Sequence, residues 1–189
     1  SWSVIPSEII IINTSNKKYI LNNYTKNKLR ERKIKTKIIL KKGFFPGAAR
    51  NVGISNSKCE YIAFLDMNTL PYSKDWLKKN FKYLIENKLD GIHGQTLYLA
   101  NNDKESIVRA STYGEASLRT IPGSIFKRAT VLKVGKFSFD SRAGEDTDWL
   151  KRTLSFVSNE TIGFAMPPER SIDIDCEYDF ELSRLLQVN

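Results

Sequence analysis

The chain has 189 residues, 41% hydrophobic, 27% charged and 11% aromatic, the balance of a folded domain rather than of a disordered, collagenous or disulfide-stapled chain. No apolar run approaches the ~18–20 residues of a membrane span; the longest clean one is Ile9 to Ile12. Thirty Lys and Arg against twenty-one Asp and Glu give a net charge of +9, which suggests an anionic partner until the charge is located.

Location changes that inference. Residues 1–50 carry twelve basic side chains against Glu8 and Glu31, a net of +10, so residues 51–189 carry −1. The excess between residues 17 and 42 reads as a solvated helix face, with only Tyr19 and Tyr24 as aromatics and no recognisable nucleic-acid module. Two cysteines far apart, Cys59 and Cys176, and a single His suit a reducing compartment and argue against a Cys/His metal site. No signal peptide is visible, and a chain that opens at Ser1 is expected to be trimmed.

In chain order, Glu8 to Asn13 is a β-branched run that predicts a strand buried on both faces. Residues 17–33 predict a helix with Ile20, Tyr24 and Leu29 on one side and basic residues on the other. Thr36 to Leu40 predicts a second strand, stopped by Gly43-Phe44-Phe45-Pro46-Gly47, and Ala48 to Asn56 a helix. Glu60 to Asp66 is the clearest strand, apolar until it delivers a carboxylate at its carboxyl end, where open α/β sheets bind their ligands. Ser73 is expected to cap a helix reaching Asn87, with Trp76, Leu77, Phe81, Leu84 and Ile85 on one face, and a strand follows from Ile92 to Leu99. This alternation predicts an α/β fold, a mostly parallel sheet with helices on both faces. Beyond Asn101 the rhythm is looser: a strand at Ser124 to Phe126, a helix opened by the acidic run Gly144 to Asp148, and a final amphipathic helix carrying Tyr178, Leu182, Leu185 and Leu186.

Asp66-Met67-Asn68 stands where a strand gives way to a loop, and residues i and i+2 of an extended chain point the same way. A carboxylate and an amide carbonyl so placed could share a hard divalent cation, although a carboxylate after a buried strand is more often a turn residue. His93, in a strand, reads as a packed imidazole, and Trp76 and Trp149 as helix-face core.

The flanks supply context. Ala49-Arg50-Asn51-Val52-Gly53 lies upstream, Phe64-Leu65-Asp66-Met67-Asn68 follows, and Val134-Gly135-Lys136-Phe137 precedes Glu145-Asp146. This ordered set resembles the family 2 glycosyltransferases of the GT-A fold over about residues 8–155. The resemblance implies a single GT-A-like domain over 1–189, with a nucleotide-sugar half (about 1–100) and an acceptor half (about 101–189). It also implies inverting transfer of a sugar from a nucleotide-sugar donor to the hydroxyl of a carbohydrate or lipid-linked acceptor. Mg²⁺ or Mn²⁺ would be held by Asp66 and Asn68, the donor contacted by Asn13, Arg50 and Asp66, and the acceptor deprotonated by Asp146 or its neighbour Glu145. Expected with it are a cytoplasmic location, weak contact with an anionic membrane surface at its inner face, and no specific nucleic acid.

Three departures define the competing expectation of a degenerate, fold-keeping binding module. Asn68 replaces the family's second Asp, Asn13-Thr14-Ser15 replaces an acidic turn, and only Ser1 to Ser7 precede the first matching strand. Trp2 to Pro6 fits the end of the family's first helix better than a remnant of its first strand, which predicts a short N-terminus.

Overall fold

The computed structural model describes residues 4–67, 69–96, 119–141 and 144–156. These residues gather into two compact units, one from residues 4–62 and 126–156, the other from residues 63–96 and 119–125.

In the first unit, strands β1 (Glu8–Asn13) and β2 (Lys35–Leu40) pair in parallel, Glu8 opposite Lys35 and Asn13 opposite Leu40. Helix α1 (Asn23–Glu31) connects them and none of its described residues is buried. It begins six residues later than the periodicity predicts. Residues 13–17 are tied into a loop by the Asn13 and Ser15 side chains, and Asn22 supplies the cap, its side chain accepting from the Thr25 N–H at 2.8 Å. Helix α2 (Pro46–Asn56) starts with Pro46 in the first turn, where a missing N–H costs nothing. Glu8 links β1 to the segment after α2. Burial pushes its carboxyl up, but hydrogen bonds from the Cys59 thiol, the Lys58 N–H and the Ser57 hydroxyl outweigh this and hold it below the usual range. Helices α4 (Arg128–Val134) and α5 (Glu145–Phe156) pack together and enclose a core of Phe126, Val131, Val134, Phe137 and Trp149.

The second unit holds helix α3 (Trp76–Glu86), strand β4 (Gly91–Gln95) and most of strand β5 (Arg119–Lys127), around Phe64, Trp76, Leu84, Ile92, Ile121 and Ile125. The cap position of α3 is Asp75. Ser73 stands earlier, in a turn closed by the Trp76 N–H donating to its carbonyl at 3.1 Å. The buried stripe is Trp76, Leu77, Asn80 and Leu84, while Ile85 is exposed. Asn80 can be buried because its amide donates to the Trp76 carbonyl at 2.9 Å.

A three-stranded sheet has the order β3-β5-β4, with β3 (Tyr61–Ala63) much shorter than the predicted strand. The reason is a bulge in β5. Gly123, at φ 83°, donates to the Phe64 carbonyl at 2.8 Å, while the Phe64 N–H donates to the Ser124 carbonyl at 3.0 Å, so two residues oppose one, as in a G1 bulge led by a left-handed glycine. With Arg128 N–H bonded to the Glu60 carbonyl, these contacts make β3 and β5 antiparallel. The parallel pairing predicted from the alternating pattern is the one seen between β1 and β2.

Among the described residues no helix is long and apolar enough to cross a membrane. Asn68, the strand end at residues 97–99, the segment up to residue 118 and the expected C-terminal helix lie outside the described residues.

Candidate functional site

Helix α2 presents three side-chain positions to the segment that leads into α5. Gly47 comes first, and a Cβ there would overlap the Ser138 carbonyl oxygen and press on Glu145 Cγ at 3.0 Å. Only glycine lets the first turn of α2 approach so closely. Arg50, one turn on, reaches Glu145 with Nη1 to Oε1 at 2.6 Å; the two side chains are 11% and 6% exposed. Its guanidinium also lies over the Phe137 ring, 5.5 Å from the centroid. Asn51 makes a reciprocal pair with Phe137, its Nδ2 donating to the Phe137 carbonyl and its Oδ1 accepting from the Phe137 N–H, both at 2.9 Å.

Helix α5 grips the same segment. Arg152 donates to the carbonyls of Val134 and Lys136, each at 2.7 Å, and is steadied by Asp148 one turn earlier. Trp149 Nε1 donates to the Gly135 carbonyl at 2.8 Å, its ring stacked on Phe137 with centroids 4.7 Å apart. Four consecutive carbonyls, Val134 to Phe137, therefore each accept a side-chain hydrogen bond. This clasp fixes residues 134–137, the stretch that precedes helix α5 in the chain. Glu145 is turned into the unit, whereas Asp146 is partly exposed and its Oδ1 accepts from the Thr147 N–H at 2.7 Å. The acidic first turn expected of this helix is present as Glu145, Asp146 and Asp148, favourably placed at the positive end of the helix dipole.

Asp66 belongs to the other unit and follows Phe64, the residue pinned by the bulge. Its backbone is held in a turn by Thr69: the Asp66 N–H donates to Thr69 Oγ1 at 3.1 Å, and the Thr69 hydroxyl and N–H donate to the Asp66 carbonyl at 3.0 and 3.2 Å. Met67, inside the turn, is 99% exposed. A recess of about 10 Å³ beside it, lined by Leu65, Thr69, Trp76, Thr96 and Gly123, has room for about one water and no sugar.

Asn13 is engaged locally, its Nδ2 donating to the Lys17 carbonyl and its Oδ1 accepting from Ser15. Among the described residues no group of three or more His, Cys, Asp or Glu could hold a metal. Asp66 alone still suits Mg²⁺ or Mn²⁺, which commonly bind through one or two carboxylates and complete their shells with water and substrate phosphates.

Of the sequence-predicted residues, the structure brings Arg50, Glu145 and Asp146 into one cluster. Gly47, Trp149 and Arg152 escaped the sequence reading as working residues. Trp149 and Arg152 are three apart on one helix and share a face, a signal that gains meaning only once their common target is known.

The sequence model described as glycosyl transferase family 2 matches residues 5–144. Uncharacterised glycosyltransferases of Rickettsia felis and Rickettsia conorii are each 31% identical over 134 residues, 65% of this chain. The chain spans 21% of the length of these relatives. Crystal structures of S. aureus TarS share the fold: one superposes with a TM-score of 0.63 at 16% identity, covering 96% of this chain and 34% of TarS. TarS 1–349 in complex with UDP gives 0.62 at 16% identity, covering 96% and 56%, and the UDP-GlcNAc complex 0.60 at 16%, covering 96% and 58%.

Proposed function

Because the chain belongs to glycosyl transferase family 2, we propose that it moves a sugar from a nucleotide-sugar donor to an acceptor hydroxyl with inversion, Asp146 being the base. The observation that carries this reading is the position of Asp146, partly exposed at the start of a helix whose approach is clasped at four successive carbonyls. A braced carboxylate can meet an incoming hydroxyl without reorganising.

In the proposed reaction the acceptor oxygen attacks the anomeric carbon from the face opposite the nucleotide. Asp146 takes the hydroxyl proton. The bond from the anomeric carbon to the diphosphate oxygen breaks, and its electron pair leaves with the nucleoside diphosphate. Asp66, and Asn68 two positions on in the sequence, would hold an Mg²⁺ or Mn²⁺ ion arriving with the donor, which when bound supplies positive charge against the diphosphate. Asn13 would reach the nucleoside by exchanging its present loop bonds.

The UDP and UDP-GlcNAc complexes of TarS favour a uridine diphosphate sugar as the first donor to try. The proposal includes a donor half at about residues 1–100, an acceptor half at about 101–189, a carbohydrate or lipid-linked acceptor and a cytoplasmic site of action. The +10 block is suited to weak contact with an anionic membrane.

Calorimetry with UDP and Mn²⁺ on the full chain tests the donor side: heat that falls in Asp66→Ala is expected, and absence of heat in the unaltered protein overturns the reading. Asp146→Asn should bind UDP unchanged while turnover of UDP-GlcNAc falls about 10²–10⁴-fold.

A further inference from the structure

We infer that Arg50 and Glu145 form a positioning pair for Asp146, acting through a buried ion pair and touching neither donor nor acceptor; this rests on the proposed role of Asp146. Adjacent carboxylates begin α5, and successive residues of a helix diverge by about 100°, so the two cannot serve the same target. Glu145 is buried, with its Oε1 on the Arg50 guanidinium at 2.6 Å. To take a proton it would have to give up the charge it holds against the Arg50 guanidinium, a largely buried contact that favours the ionised carboxylate.

Arg50 is equally committed. Its guanidinium lies over Phe137 and meets Glu145, while Asn51, the next residue, is bonded to both backbone groups of Phe137. Swinging Arg50 out to a phosphate would vacate that place. Glycine at 47 allows α2 to press against Ser138 and Glu145, so α2 and the start of α5 are held as one piece. The Ala49-Arg50-Asn51-Val52-Gly53 motif therefore sets where the first turn of α5 lies, and with it the carboxylate of Asp146.

The test uses the full chain with UDP-GlcNAc and Mn²⁺, and variants that keep hydrogen bonding. Glu145→Gln should lower kcat about 10–100-fold with donor KM and UDP binding unchanged, and should retain the base limb of the pH profile. Arg50→Lys should recover most of the kcat that Arg50→Gln loses. Independently of turnover, amide hydrogen exchange over residues 134–141 should quicken in Arg50→Gln, and in the double variant Arg50→Gln with Glu145→Gln, which removes both charges of the pair.

Loss of the base limb in Glu145→Gln would make Glu145 the base and overturn the inference. A tenfold rise in donor KM with intact kcat in Arg50→Lys would make Arg50 a donor ligand and overturn it too, as would unchanged exchange. Normal turnover by Asp146→Asn would instead remove the reading on which the inference rests, leaving the exchange result to stand as a structural brace.

Discussion

The two units bury polar groups in opposite ways. In the unit that carries Asp146, the buried polar groups include a charged one, Glu145, paired with the largely covered Arg50 and near side-chain bonds to backbone carbonyls. In the unit that carries Asp66, the buried polar groups among the described residues are neutral: Asn80, the hydroxyls of Thr96, Thr120 and Ser124, and the His93 imidazole. Burial and the nearby Arg119 charge push His93 down to about 4. The contrast teaches where electrostatics is spent. Charge is retained beside the proposed base, and hydroxyl-to-backbone bonds hold the bulged sheet that leads to Asp66.

The largest expected effect is on the charged side. Trp149→Ala removes the ring stacked on Phe137 and the bond to the Gly135 carbonyl, and should cost about 3–5 kcal/mol of stability, read from urea unfolding. A much smaller cost would mean that the Asn51 and Arg152 bonds hold the clasp without the aromatic stack.

Acid should act next, through the neutral unit. His93 has a lower pKa folded than unfolded, so the unfolded chain binds the proton first. Its contribution is intact above about pH 6.5 and is lost as the pH falls towards 4, by up to about 3 kcal/mol. Unfolding measured between pH 7 and pH 4 should show that slope, and His93→Leu should flatten it. A slope that survives the substitution would place the acid sensitivity elsewhere and blur the distinction between the units.

The smallest of the three sits in the bulge. Ser124 Oγ accepts from the Gly94 N–H and donates to the Thr120 carbonyl, both at 2.7 Å. Ser124→Ala leaves a buried N–H without that acceptor and should cost about 1–3 kcal/mol in the same unfolding measurement. A neutral outcome would show that water takes the place of the hydroxyl.

The strands of the first unit were legible because a run of isoleucines between polar residues needs no distant information. β1 ends where the sequence predicts, and β2 begins one residue earlier. β3 was overextended because its length is decided by Gly123 opposite Phe64, sixty residues away and invisible to local pattern. Helix α4 gave no warning, being seven residues with β-branched Thr130, Val131 and Val134, weak helix formers stabilised by packing. The motif resemblance led to Arg50, Glu145 and Asp146. It could not reveal that Arg50 and Glu145, 95 positions apart, bond to each other, because nothing local in either segment refers to the other.

That separation has a consequence during synthesis. Asn51 must wait for Phe137, and Arg50 for Glu145, 86 and 95 positions later. At roughly 5–20 residues per second, a nascent chain spends on the order of 5–20 s with α2 made and its partners not yet translated. For that interval the Arg50 guanidinium and the face of α2 destined for Phe137 stay wet, and the N-terminal part of the first unit waits for the C-terminal part that completes it. The described residues of the second unit, 63–96 and 119–125, emerge in between.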